Sequence, residues 1–123
     1  MPRIPLISVI DDDDALRGSL ENLIRSVGWR VRCFSSAEAF LKSNQMHETG
    51  CLILDVRMRG MTGLELQRRM VVANSRMPII FITAYEDDNR RRQALEAGAV
   101  AFLHKPFYQE ELLNAIDAAL KDS

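Results

Sequence analysis

Residues 6–14 read Leu6-Ile7-Ser8-Val9-Ile10-Asp11-Asp12-Asp13-Asp14, a short and nearly continuous apolar run that breaks into four consecutive acids. Beyond the acids, Leu16, Leu20, Leu23, Ile24 and Val27 recur at the spacing that lines one face of a helix, which Gly28 can end. A run this short fits a strand buried on both faces, so the segment reads as a strand followed by a helix.

The pattern repeats to the end of the chain. Trp29, Val31 and Cys33 alternate with Arg30 and Arg32 as a second strand, and Ser35-Ser36-Ala37-Glu38 resembles a capping box opening a helix with Ala37, Phe40 and Leu41 inward. Cys51-Leu52-Ile53-Leu54 and Ile79-Ile80-Phe81-Ile82 are continuous apolar runs. The first precedes a helical pattern carrying Leu66, Met70 and Ala73, the second one carrying Ala94 and Leu95 before Gly98. Val100-Ala101-Phe102-Leu103 makes a fifth strand, and Leu112, Leu113, Ile116 and Leu120 mark the last helix. Five strand–helix pairs in strict alternation imply an α/β fold, a doubly wound (βα)5 five-stranded parallel sheet covered by helices on both faces. Only the second strand has arginines inside it, which places it at an edge, in the order 2-1-3-4-5. Its cysteine, Cys33, ends that strand while Cys51 begins the third, about two strand spacings away, so the expectation is two free thiols.

With 123 residues, 47% of them hydrophobic, the chain can bury one sizeable core, and residues 1–123 are expected to form one domain. Sixteen basic against seventeen acidic residues give a net charge of -1, which removes any bulk electrostatic attraction to nucleic acid or an anionic membrane. No apolar stretch approaches the roughly 20 residues that span a bilayer, and Met1-Pro2-Arg3-Ile4-Pro5 lacks a signal-peptide core, so a cytoplasmic location is expected.

In an open parallel sheet ligands bind outside the carboxyl ends of the strands. The residues there are Asp11 to Asp14 after the first strand, Asp55 after the third, Thr83-Ala84 after the fourth and His104-Lys105-Pro106 after the fifth. Carboxylates gathered on one rim repel one another unless a cation neutralises them, and an all-oxygen donor set suits magnesium. Asp13 and Asp14 are read as caps of the first helix; capping alone does not explain Asp11 and Asp12, because Asp55 and Lys105 reach the same rim from other strands.

The acidic pair, Asp55 in Asp-Val-Arg-Met followed by Gly60-Met61-Thr62-Gly63, then Thr83-Ala84 and Lys105-Pro106-Phe107, together resemble the receiver domain of two-component response regulators, with its flavodoxin/CheY-like fold. Phe34-Ser35-Ser36-Ala37-Glu38 and Leu52 to Met58 look most like the FixJ-type transcriptional regulators. The resemblance implies that Asp55 accepts a phosphoryl group from a histidine kinase with Mg2+ as cofactor. Asp12 and Asp55 would bind the metal directly, Asp11 through a water, and Arg57 through its backbone carbonyl. Lys105 and Thr83 would contact phosphoryl oxygens, Phe102 would reorient as Thr83 moves, and the Lys105-Pro106 bond would fit as cis. Arg17 falls where the family often places an arginine. The module would be no enzyme in the usual sense, catalysing only phosphorylation and dephosphorylation of its own aspartate. The resemblance also implies a phosphorylation-favoured homodimer through the fourth helix, fifth strand and fifth helix, and a C-terminal DNA-binding output domain absent from this chain, which alone should not bind DNA.

Arg59 departs from the pattern, standing where the family usually has proline. Arg57 and Tyr85 place large side chains where an attacking water would approach, so these three positions bear on phosphate lifetime. A flavin-phosphate module disagrees with four aspartates after the first strand, which would repel the ligand. A small-molecule aspartyl-phosphate hydrolase would want an acid where Arg57 stands, and an unphosphorylated protein-binding module stays as an alternative. Arg90-Arg91-Arg92 after Glu86-Asp87-Asp88 reads as a solvated helix face with (i, i+4) pairs, His47 as a polar-loop residue, His104 as structural, and Met58 and Met61 as loop packing.

Overall fold

The computed structural model describes residues 4–121, so the reading of Met1-Pro2-Arg3 lies outside them. Ten elements alternate: β1 (Leu6–Ile10), α1 (Asp14–Ser26), β2 (Arg30–Phe34), α2 (Ala37–Lys42), β3 (Thr49–Asp55), α3 (Gly63–Val72), β4 (Ile79–Thr83), α4 (Asp88–Glu96), β5 (Ala101–His104) and α5 (Gln109–Lys121). All strands pair in parallel, in the order β2-β1-β3-β4-β5. The (βα)5 doubly wound sheet is therefore the one the apolar runs imply. β1 and β4 are buried at every residue because helices cover both faces.

The two faces separate by the period-2 alternation of the strands. Ile7, Val9, Ile53, Ile80 and Ile82 pack under Leu20 and Ile24 of α1 and Leu112, Ile116 and Ala119 of α5. Ile10, Leu52, Leu54 and Phe81 pack under α2, α3 and α4 through Phe40, Leu66, Met70 and Ala94. Cys33 pairs with Val9 and Cys51 with Ile7, on opposite sides of β1, and both thiols are free. Burial alone pushes the Cys51 thiol up to about 12, so it is an inert core group.

Several local expectations change. Val27 and Ala73 are C-caps and exposed, as is Leu95, because each helical stripe turns outward in its last turn. β5 is also an edge yet carries no arginine; half-burial of Ala101, Phe102 and Leu103 suffices there. α2 opens at Ser36 and not at Ser35; the Ser36 hydroxyl accepts the Ala39 N–H, so Glu38 sits one position too early to close a capping box on the residue that caps the helix. The capping box in this chain belongs to α3, where Thr62 and Glu65 exchange side chain-to-backbone bonds. At α4, Asp87 caps the helix and pairs with Arg90 at (i, i+3), 3.5 Å; among the described residues none of the (i, i+4) pairs forms, Glu86 preceding the helix and Asp87 being engaged as its cap. Thr62→Ala is expected to destabilise the domain by about 1 kcal/mol through loss of this cap, read as a lower urea midpoint at unchanged slope; an unaltered midpoint would show that the box contributes nothing.

Candidate phosphoacceptor and metal site

Alternation along the strands brings the site together. Asp11 continues the parity of Val9, Asp55 that of Ile53, and Lys105 that of Leu103, so all three belong to the α1/α5 face where β1, β3 and β5 end. Asp11 is wholly buried, Asp55 is buried and Asp12 is exposed, and an oxygen from each can be chosen so that all lie within 4.8 Å of one another. Lys105 Nζ lies 2.9 Å from Asp11 Oδ2 and 3.8 Å from Asp55 Oδ2. The second Asp11 oxygen accepts the Asp13 N–H at 2.9 Å, while Asp55 Oδ1 accepts a long bond from the Arg57 N–H, 3.4 Å.

Desolvation raises the Asp55 pKa to about 7, the Asp11 charge adds to the rise, and Lys105 offsets part of it. One ammonium thus serves two buried carboxylates. The donors are carboxylate oxygens without imidazole or thiolate, clustered and short of positive charge, and they fit a small divalent cation such as magnesium.

Of the two acids read as helix caps, Asp13 is one and Asp14 is not. Asp13 is the N-cap of α1, accepting from the Ala15 and Leu16 N–H groups, and Asp14 pairs with Arg17. Arg17 also donates to the Asp11 carbonyl at 2.7 Å, which ties α1 to the turn carrying the acids.

Thr83 is buried at the end of β4, but its hydroxyl accepts the Tyr85 N–H at 3.1 Å and so closes a local turn. Phe102 packs beside Phe81, ring centroids 6.0 Å apart, and lines a cavity of about 370 Å3 with Tyr85, Asp88, Arg91 and His104. The Arg57 guanidinium stacks 4.3 Å from the centre of the Tyr85 ring, a contact between the β3 and β4 loops that residue spacing does not reveal. His104 and His47 are exposed, neither serving the core. The Lys105-Pro106 peptide is cis.

The response regulator receiver domain family model matches residues 7–117. The chain belongs to the response regulator receiver family. It is 49% identical over 119 residues to the response regulator protein TodT of Pseudomonas putida, covering 97% of this chain and 52% of that protein. The transcriptional regulatory protein FixJ of Bradyrhizobium diazoefficiens is 41% identical over 117 residues, 95% of this chain and 57% of its own length. The crystal structure of FixJ-N superposes with a TM-score of 0.88 at 32% identity, over 99% of this chain and 98% of that one. This receiver thus spans about half the length of the curated relatives it matches. Among the described residues no helix is long and apolar enough to cross a membrane.

Proposed function

We propose that this receiver takes a phosphoryl group from a histidine kinase onto Asp55, with magnesium held by Asp11, Asp12, Asp55 and the Arg57 carbonyl. The observation that carries this reading is the convergence of Asp11, Asp12 and Asp55 within 4.8 Å, with Lys105 reaching two of them. An Asp55 carboxylate oxygen attacks phosphorus, an O–P bond forms as the donor's P–N bond breaks, and the bond electrons leave with the donor imidazole. The bound cation supplies positive charge against the acids and the transferred oxygens. Lys105 Nζ can turn from Asp11 to a phosphoryl oxygen, and the Thr83 hydroxyl must leave its Tyr85 turn to donate to another. Phe102, half-buried on the neighbouring strand and packed beside Phe81, is the side chain that would reorient as Thr83 moves, which makes it the candidate switch. Catalysis is confined to the domain's own aspartate, and Arg57 stacked on Tyr85 restricts water over the acyl phosphate. Intact mass spectrometry after incubation with acetyl phosphate and magnesium tests the assignment: one phosphoryl group is expected on wild type, and none on Asp55→Asn or with chelator present. Equal labelling of the Asn variant would falsify it.

The output follows from the same face. Phosphorylation favours a two-fold dimer through α4, β5 and α5, the exposed Arg91 of one subunit meeting Asp117 of the other. Asp117 pairs with its own Lys121 at 3.0 Å, so the intersubunit pair must displace that contact and adds at most roughly 1 kcal/mol. Sedimentation is expected to show a dimer only after phosphorylation, weakened by Asp117→Arg and partly restored by adding Arg91→Asp; a phosphorylated protein that stays monomeric at high concentration sinks the proposal. In the whole cytoplasmic regulator the receiver would govern a C-terminal DNA-binding domain, in keeping with the FixJ-type relatives. This chain alone would not bind DNA.

A further inference from the structure

The segment between β3 and α3, residues 56–62, carries the Arg57 carbonyl, and one end of it is tied to the neighbouring strand while the other folds back on the first. The Val56 N–H donates to Ile82 of β4 at 3.1 Å, and the Gly63 N–H returns to the Val56 carbonyl at 3.0 Å. Between them, a bond arrives from a different helix. Glu38, in the first turn of α2, accepts the Met61 N–H on Oε2 at 3.1 Å. Among the described residues Oε1 of the same carboxylate is buried without a hydrogen-bond partner.

Two further facts show that the chain is shaped around this contact. Gly60 has φ +76°, and a Cβ built there would lie 2.5 Å from Glu38 Oε2, so a side chain at 60 would be strained and would push the carboxylate away. The backbone N–H groups around it hold the Glu38 carboxyl below the usual range, and Lys42 and Arg69 act in the same direction, so it is ionised at neutral pH. The depressed pKa means that the folded environment favours the charged form, so the contact also contributes to folding near neutral pH, and a role at the site has to be read separately from stability.

We propose that Glu38 is a positioning residue for the phosphoacceptor site, its carboxylate fixing the loop through Met61 so that the Arg57 carbonyl stands ready for the cation at Asp11, Asp12 and Asp55. The inference rests on the phosphoacceptor reading above. Glu38 touches neither the cation nor the phosphoryl group; it acts through four residues of backbone. Coupling of this kind is reciprocal: if the Glu38–Met61 bond favours the cation, the cation must favour that bond.

The test uses the 123-residue chain. Calorimetric titration with magnesium alone is expected to show affinity weakened roughly tenfold in Glu38→Ala, the size of effect usual for residues that orient metal ligands. Gly60→Ala should behave alike, whereas Glu38→Gln keeps an acceptor for the Met61 N–H and should bind close to wild type. Phosphorylation by acetyl phosphate at subsaturating magnesium should fall in the same order and recover when magnesium is raised. Magnesium should also slow hydrogen exchange at the Met61 amide of the wild-type protein, a readout that needs no variant to fold. Wild-type magnesium affinity in Glu38→Ala, or a Met61 amide indifferent to magnesium in a wild type that binds the ion, overturns the inference and leaves the phosphoacceptor reading standing. A wild type that neither binds magnesium nor accepts phosphate overturns that reading, and the inference with it.

Discussion

Gly63→Ala is expected to destabilise the domain by about 3 kcal/mol or more, the upper range for an added methyl in a closed space. A Cβ at this buried position would lie 2.3 Å from the Asp55 carbonyl oxygen, a backbone atom, and 3.1 Å from Phe81 Cε1. The cause is steric, since Gly63 is not among the positive-φ glycines. The first turn of α3 approaches the end of β3 this closely because the Gly63 N–H bonds to Val56, folding the loop back over the strand that presents Asp55. Relief would require α3 to move off the sheet, uncovering Leu64 and Leu66. Gly18→Ala in α1 is the control: nothing lies within 4 Å of its Cβ, so it should stabilise by up to about 1 kcal/mol through helix propensity. Urea denaturation of both variants decides the matter. If Gly63→Ala matched wild type, α3 would be free to shift, and the close seat beneath Asp55 would not matter to the fold.

The parts legible in the sequence are those governed by local period. Apolar runs at Leu6, Cys51 and Ile79 gave strands because no partner segment had to be known, and the residues after each run are the ones that meet at the rim. Which serine caps α2 was not legible. Ser35 and Ser36 are chemically alike, and the choice falls to Ser36 because α2 must bury Ala37 and Phe40 completely against the sheet. That choice leaves Glu38 unable to cap and turns its carboxylate to Met61, which is 23 residues away in sequence. The Arg57–Tyr85 stack and the Lys105–Asp11 pair were hidden for the same reason, each joining loops of different strands. The Thr62–Glu65 box, by contrast, matches the T-x-x-E pattern and is legible locally, within the same stretch as the Gly60 to Gly63 motif.

The pH dependence of stability separates the acids' role from that of the surrounding packing. In the metal-free protein Asp55 titrates near 7, against about 3.9 in an unfolded chain. Between those values the native state holds a proton that the unfolded state has lost. Stability contributed by this group is therefore fully present below pH ~4, falls as pH rises through that window, and levels off above ~7. The slope cannot exceed ~1.4 kcal/mol per pH unit, and the whole loss is no more than about 4 kcal/mol, reduced wherever Lys105 turns from Asp11 toward Asp55. Asp55→Asn keeps the shape of the side chain and removes its charge. It is expected to be on the order of 2 kcal/mol more stable than wild type at pH 8 in chelator, and to differ little at pH 4.5, where the wild-type carboxyl is already largely protonated. Magnesium at pH 8 should then raise the urea midpoint of wild type and leave the Asn variant almost unchanged, because a ligand stabilises only the state that binds it. A difference between the two proteins that stayed constant from pH 4.5 to 8 would mean that the Asp55 carboxylate is not held against its charge, and that desolvation and Asp11 repulsion do not shape this site.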